Sequence, residues 1–317
     1  MARPLRLEFP GALYHITARG NERKEIYREQ EDYILFLKTL SQVVGETGWL
    51  LHAYCLMPNH YHLLLETREA NLSKGMRQLN GIYTQRFNRK YKRSGHLFQG
   101  RYRAILVEKE AYLLKLCRYV ALNPVRAKIV DKPEKWPYGS YCTYAGLNSS
   151  SFLHTDYTLS RFGRTKKKAQ LAYRDFVAEG IGKPSPWSSL VGQIYMGSEN
   201  FLSELEKSLR EKDICEEVPV SQRYPVRPTM DKILELVAKF YGVDPVDTKT
   251  PRAKGAARDT AIYLCRQLGG YDLKTIAGRF KMSYPRVSQI VGKVNAGAES
   301  DTDIKELLRS LEADGSR

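Results

Sequence analysis

The sequence predicts an α+β protein: a ferredoxin-like split βαβ sheet, a helical middle region and an all-α helix-turn-helix end. Three observations predict it. Strand-like and helix-like segments alternate as β-α-β-β-α-β with a trailing helix up to about Leu122. From Met230 onward the apolar residues recur only at helical spacing. A hydrophobic content of 42% with 11% aromatics suits packed cores rather than disorder, over a length sufficient for two compact domains.

In chain order, Leu13 to Ala18 alternates as a strand does and runs into the turn-prone Arg19-Gly20-Asn21. Glu31 to Val44 has helical spacing through Tyr33, Phe36, Leu37 and Leu40, with Gly45 or Gly48 to close it. Trp49 to Leu56 is a strand, Pro58-Asn59 a turn and Tyr61 to Glu66 a second strand. Leu72 to Tyr91 is a long basic amphipathic helix, Tyr102 to Val107 a strand, and Ala111 to Leu122 a helix. A sheet of this kind leaves one face open. Trp136 to Tyr141 reads as irregular packing on this domain, and the polar run Asn148 to Ser151 marks its boundary. About Ala169 to Leu209 reads as mostly helical, interrupted at Gly180 to Pro186, and Glu216 to Pro228 as a linker. The expected domains are therefore 1–147, 148–227 and 228–317, with no internal repeat.

The net charge of +16 points to a polyanionic partner, although charge alone speaks only to solubility and non-specific attraction. Its distribution says more. Asn71 to Val107 contains no Asp or Glu, yet holds Lys74, Arg77, Arg86, Arg89, Lys90, Lys92, Arg93, Arg101 and Arg103. Tyr83, Phe87, Tyr91, Phe98 and Tyr102 are interleaved with them, as in a groove where charge tracks phosphates and rings stack on single-strand bases. The plainer reading is a solvated helix face over core aromatics. Five cysteines without a C-x-x-C pair fit a reducing cytoplasm and argue against a disulfide framework. No apolar leader and no run of eighteen apolar residues occurs, so a cytoplasmic protein without membrane spans is expected.

Two motifs carry chemistry. His60-Tyr61-His62 lies at the head of an apolar strand, so both imidazoles point to one face and can share a divalent metal. A lone H-x-H is most often an ordinary pair of strand residues; the second motif lifts this one. In Arg118-Tyr119-Val120-Ala121-Leu122-Asn123-Pro124, Tyr119 and Asn123 are one helical turn apart, and Pro124 tends to end the helix there. Tyrosine can act as a covalent nucleophile. A free phenol ionises only near pH ~10, so a metal that polarises the phosphate, with Arg118 or Arg126 nearby, would supply the activation. Asn123 offers an oxygen ligand beside His60 and His62, with Mg²⁺ or Mn²⁺ as the fitting ion. Tyr61 and Tyr112 read as structural, and His96 ranks below the pair as a metal ligand.

The ordered motifs M-P-N-H-x-H-L-L-L, S-G-H-L-F-Q-G-R-Y and R-Y-V-A-L-N-P-V-R-A resemble those of the REP-associated tyrosine transposases, relatives of the single-tyrosine HUH transposases, over roughly Pro4 to Gly146. The resemblance implies metal-dependent cleavage of single-stranded DNA by Tyr119, leaving a 5′-phosphotyrosine and a free 3′-OH. It implies His60 and His62 as metal ligands with Asn123 as the third. It also implies palindromic repeat hairpins as substrates. Arg86, Arg89, Lys90, Arg93, Arg101 and Arg103 are the expected DNA contacts of this domain. Tyr61 departs from the aliphatic residue usual between the two histidines.

The segment Met230 to Val294 is similar to the C-terminal DNA-binding domain of the replication initiator DnaA. The likeness rests on A-R-x-x-A-x-Y-L-x-R-x-L and L-x-x-I-A-x-x-F. Its second helix would enter the major groove of duplex DNA with Tyr284, Arg286, Ser288 and Gln289 facing bases or phosphates. Ser283-Tyr284-Pro285-Arg286 stands where the initiator has Asp-His-Thr-Thr, so the initiator's DNA box is not carried over. Together these readings give a transposase that cuts and rejoins hairpin-bearing single strands and is tethered to duplex DNA. The alternatives are a non-catalytic, domesticated DNA-binding regulator and an RNA-binding protein, the latter leaving Tyr119 without a task.

Overall fold

The computed structural model describes residues 7–191, 194–210, 228–244, 255–297 and 307. The chain divides into two compact units, one spanning Arg6–Phe201 and the other beginning at Leu202.

The first unit is a mixed α/β sandwich built from β1 (Ala12–Arg19), α1 (Gln30–Thr47), β2 (Leu50–Met57), β3 (His60–Thr67), α2 (Leu72–Lys90), β4 (Arg103–Val107) and α3 (Lys109–Arg126). The strands lie in the order β2-β3-β1-β4, all neighbours antiparallel, as the expected split βαβ order requires. β2 and β3 form a hairpin around Pro58-Asn59, with Met57 opposite His60. α1 starts in a reciprocal capping box between Glu29 and Asp32, and Gly48 closes it at φ 68, a conformation glycine adopts without a Cβ clash.

The period of two divides the sheet. His15, Thr17 and Arg19 of β1 share a face with His60 and His62 of β3, through the pairs Thr17–His62 and Arg19–His60. Tyr61 points to the opposite face. There Phe36 of α1 stands 4.9 Å from it, ring to ring, and its hydroxyl donates to Asn80 of α2 at 2.7 Å.

The histidine face is not open as expected. α3 packs Leu113, Leu116, Cys117 and Val120 onto Leu13, Ala53, Cys55, Leu64 and Ile105. Those α3 residues recur at i, i+3, i+4 and i+7, and an apolar stripe of that width must find cover. Each fully buried side chain of this kind is worth roughly 1.5–3 kcal/mol. α3 also continues past Pro124 to Arg126, its last turn closed by Ala127 N–H donating to Asn123 O at 2.9 Å and Ile129 N–H to Pro124 O at 2.9 Å.

The middle region is helical at Lys166–Ala178 and Glu199–Arg210, as expected, and departs from that expectation only between them. After the first of these helices the chain forms a 3₁₀ turn at Pro186–Ser189 and a two-residue strand β5 (Tyr195–Met196). β5 adds to the sheet parallel to β4, with Leu106 N–H donating to Ile194 O at 2.7 Å and Glu108 N–H to Met196 O at 2.8 Å. This pairing carries the first unit to Phe201, past the 147/148 boundary read from the polar run.

In the second unit, helices at Met230–Tyr241, Gly255–Gln267, Leu273–Phe280 and Tyr284–Gly297 enclose Ile233, Val237, Ala261, Cys265, Ile276, Phe280, Val287 and Ile290. Asp272 caps the third by accepting from Lys274 N–H and Thr275 N–H at 2.9 Å each. Lys281, left-handed at φ 50, ends it, and a three-residue turn leads into the fourth. Most of the linker expected at Glu216 to Pro228, and Cys215 with it, lie outside the described residues. The other four cysteines are free thiols buried in the two cores. Among the described residues no helix is long and apolar enough to cross a membrane.

Candidate active site

His60 and His62 begin β3, their rings 5.0 Å apart, on the face that α3 borders. Each is held by a neighbour through Nδ1. Asn59 donates its amide N–H to Arg23 O at 3.0 Å, which turns its Oδ1 toward His60 Nδ1 at 2.7 Å. The oxygen can only accept, so His60 carries its hydrogen on Nδ1 and keeps a lone pair on Nε2. His62 Nδ1 faces His15 Nε2 at 3.0 Å, and His62 Nε2 is buried without a hydrogen-bond partner. Burial keeps all three rings neutral. His60 is lowered to about 4 and His15 to about 3, with Arg19 and Arg103 adding to burial respectively. His62 falls well below the usual imidazole range through burial, then through His15, His60 and Arg19. Neutral imidazoles with an unused nitrogen are what a divalent metal binds.

The fold brings Tyr119 to this pair. Its ring lies 6.0 Å from that of His62 and 6.2 Å from that of His15, edge-on to both. The Arg126 guanidinium stands over the Tyr119 ring at 5.6 Å. Asn123, 8% exposed, donates its amide N–H to Tyr119 O at 3.0 Å, leaving its oxygen as the atom for a ligand. Among the described residues no cluster of three or more His, Cys, Asp and Glu is placed to hold a metal ion. Tyr61, fully buried in the opposite layer, is structural.

Three residues of this site escaped the sequence reading. His15 sits behind His62. Arg19, exposed at the end of β1 and register-paired with His60, adds a cation at the site's edge. Trp187, from the 3₁₀ turn of the middle region, has its ring 4.7 Å from His15 and 5.1 Å from Tyr119. The alternation of His15, Thr17 and Arg19 along a strand was the available signal for the first two; Trp187 had none.

The basic stretch is only partly what it resembled. Tyr83 and Phe87 of α2 are fully buried, Phe98 is buried, and Tyr91 donates its hydroxyl to Asp32 at 2.7 Å. Tyr83, Phe87 and Phe98 are core and not stacking platforms, because Met76, Leu79, Tyr83 and Phe87 lie on the buried stripe of the helix, while Tyr91 beyond its end is half-buried. Lys90 is committed to Glu29 at 2.5 Å and Asp32 at 2.9 Å, which raise its pKa and remove it as a free phosphate contact. Arg86 and Arg89 remain exposed on α2, as do Arg101 and Arg103 around the entry to β4. Arg93 is half-buried, its guanidinium 5.7 Å from the Phe87 ring. In the second unit Tyr284, Arg286, Ser288 and Gln289 are all exposed on the last helix, while Val287 and Ile290 turn inward.

Residues 9–123 match the family "Transposase IS200 like", a span that includes His60, His62, Tyr119 and Asn123. A Haemophilus influenzae protein named as a REP-associated tyrosine transposase is 28% identical over 144 residues, covering 41% of this chain and 80% of that protein. A solved REP-associated tyrosine transposase bound to a REP hairpin aligns with a TM-score of 0.41 at 16% identity, over 48% of this chain and 90% of the other. A transposase structure from Deinococcus radiodurans aligns with a TM-score of 0.27 at 19% identity, over 41% of this chain and 91% of the other.

Proposed function

We propose that this chain, whose first unit carries an IS200-like transposase domain over residues 9–123, cuts and rejoins hairpin-bearing single-stranded DNA through a covalent bond to Tyr119. The observation that carries the reading is the approach of the Tyr119 ring to within 6.0 Å of His62, across 57 residues of sequence and between two different elements. The H. influenzae relative supports the substrate class by its name.

In this reading the Tyr119 hydroxyl oxygen attacks the scissile phosphorus. The phenol gives up its proton, the bond from phosphorus to the 3′ oxygen breaks, and that oxygen takes up a proton as the free 3′-OH. The 5′ phosphate stays on Tyr119, so the reverse attack by a 3′-OH rejoins a strand without outside energy. His60 Nε2, His62 Nε2 and the Asn123 oxygen would hold Mg²⁺ or Mn²⁺, which when bound supplies Lewis-acid polarisation of the phosphate. Arg19 and Arg103 would neutralise the phosphodiester, and Trp187 would restrict the Tyr119 ring to an attacking orientation. Arg86, Arg89, Arg93 and Arg101 would follow the strand's backbone. The second unit would tether the enzyme to duplex DNA through Tyr284, Arg286, Ser288 and Gln289, raising the local concentration of substrate.

The test is a denaturing gel of labelled single-stranded hairpins with the native protein and Tyr119→Phe, with and without Mg²⁺ or Mn²⁺. A metal-dependent protein–DNA adduct with the native chain alone is expected. An adduct formed equally by Tyr119→Phe would remove Tyr119 as nucleophile. Tight binding with no adduct on any hairpin would leave a DNA-binding regulator.

A further inference from the structure

We infer that His15 is a positioning residue that fixes which nitrogen of His62 carries the hydrogen, and thereby opens His62 Nε2 to the metal; this rests on the metal-dependent reading above. The two rings meet nitrogen to nitrogen, His15 Nε2 to His62 Nδ1, at 3.0 Å in a buried setting. One hydrogen must sit between them, and only two arrangements of neutral rings supply it.

If His15 donates, His62 accepts at Nδ1 and carries its own hydrogen on Nε2. An N–H would then point at the cation position, and no protein acceptor meets it, since His62 Nε2 is buried and unpartnered. If His62 donates, its Nε2 presents a lone pair, and His15 holds its hydrogen on Nδ1. That atom too is buried without a partner. The protein's own hydrogen bonds therefore leave the choice open: each arrangement has one orphan on each ring. A bound cation breaks the tie, because it satisfies the Nε2 lone pair in the second arrangement and is repelled by the N–H in the first. His15 in its Nδ1–H form is then the acceptor that makes His62 a ligand, as outer-shell partners do for metal-bound histidines generally. His60 receives the same service from the Asn59 oxygen at 2.7 Å, so the two ligands are oriented by different chemistry on one face.

Trp187 completes the arrangement. Its ring, 4.7 Å from that of His15, packs against the side chain that must stay in place. His15 makes no claim on the metal itself, since its Nε2 is occupied by His62.

Two measurements test this. Long-range ¹H–¹⁵N spectra of histidine-labelled native protein read the His62 tautomer directly, and in Mg²⁺ the hydrogen is expected on Nδ1. Mn²⁺ titration followed by electron paramagnetic resonance then compares the native chain with His15→Leu and His15→Gln. Loss of the acceptor in His15→Leu should weaken Mn²⁺ binding about 10- to 100-fold. His15→Gln, whose amide oxygen reaches the same place, should restore most of it. A hydrogen on His62 Nε2 in the presence of Mg²⁺ overturns the inference, as does a folded His15→Leu that binds Mn²⁺ like the native chain. If His15→Leu does not fold, the native spectra decide alone. A native protein that binds no Mn²⁺ at all removes the metal reading beneath it, a separate failure from a wrong tautomer in a protein that does bind.

Discussion

Acidification should destabilise the first unit in a pH window set by the imidazoles of the candidate site. His15, His60 and His62 are neutral in the fold, whereas in an unfolded chain each titrates near ~6.5. Between that value and about 4 the unfolded chain binds more protons than the folded one, so stability falls as pH falls. For His60 the loss on going from neutral pH to about pH 5 comes to about 2 kcal/mol. His15, lowered to about 3, loses about as much, giving roughly 4 kcal/mol for the two, a large part of a domain's usual ~5–15 kcal/mol, and His62 shifts in the same direction. Glu66, held at about 2 by His52 and Lys109, loses its contribution only below the ordinary carboxylate range and stays out of this window. All three tryptophans, Trp49, Trp136 and Trp187, belong to the first unit, so their fluorescence reports it without the second. Urea titrations should place its midpoint roughly 2 M lower at about pH 5 than at neutral pH, for an m of ~2 kcal/mol per molar. Equal midpoints would refute the argument, since imidazoles held neutral in the fold cannot be indifferent to a proton supply.

Other outcomes follow from single contacts. Asp32, whose side chain is fully buried, accepts from Arg28 N–H at 2.8 Å, Tyr91 Oη at 2.7 Å and Lys90 Nζ at 2.9 Å. Asp32→Ala strands those donors and should cost about 3 kcal/mol in the same fluorescence-monitored urea titration, whereas a loss under 1 kcal/mol would mean the network is ornamental. His60→Ala should abolish metal-dependent cleavage while hairpin affinity in a metal-free gel shift changes by no more than a few-fold; retained cleavage would reject His60 as a ligand. Arg286→Ala should weaken duplex binding and reduce the slope of log affinity against log salt by about 1 if the residue meets a phosphate, and leave the slope unchanged if it does not.

The sheet was readable because its signals are local: alternation in Leu13–Ala18, a Pro-Asn turn between two apolar runs, and helical spacing in α1 and α3. The shared faces of His60 with His62 and of Tyr119 with Asn123 were readable for the same reason, since spacing of two in a strand and four in a helix fixes which side chains lie together. What failed to show depends on non-local pairing. His15 gains meaning only when β1 is set beside β3 in a particular register, and no short pattern encodes register. β5 is two residues long, too short for periodicity, and the Trp187 turn lies in a stretch of Pro, Ser and Lys that resembles any surface loop. The rings of α2 misled for a different reason. A helix with one basic and one aromatic stripe has the same sequence whether the aromatic stripe meets a strand of DNA or its own protein core.

Tyr119 and His62 meet within one chain, 6.0 Å apart. If the proposed cleavage runs on this pairing, its nucleophile and its metal ligands come from the same chain. Its single-turnover rate should be first order in bound complex and should not rise with added free protein. Mixing two disabled chains, one Tyr119→Phe and the other His60→Ala, should recover nothing, because each lacks a part that its companion cannot lend without the fold being exchanged.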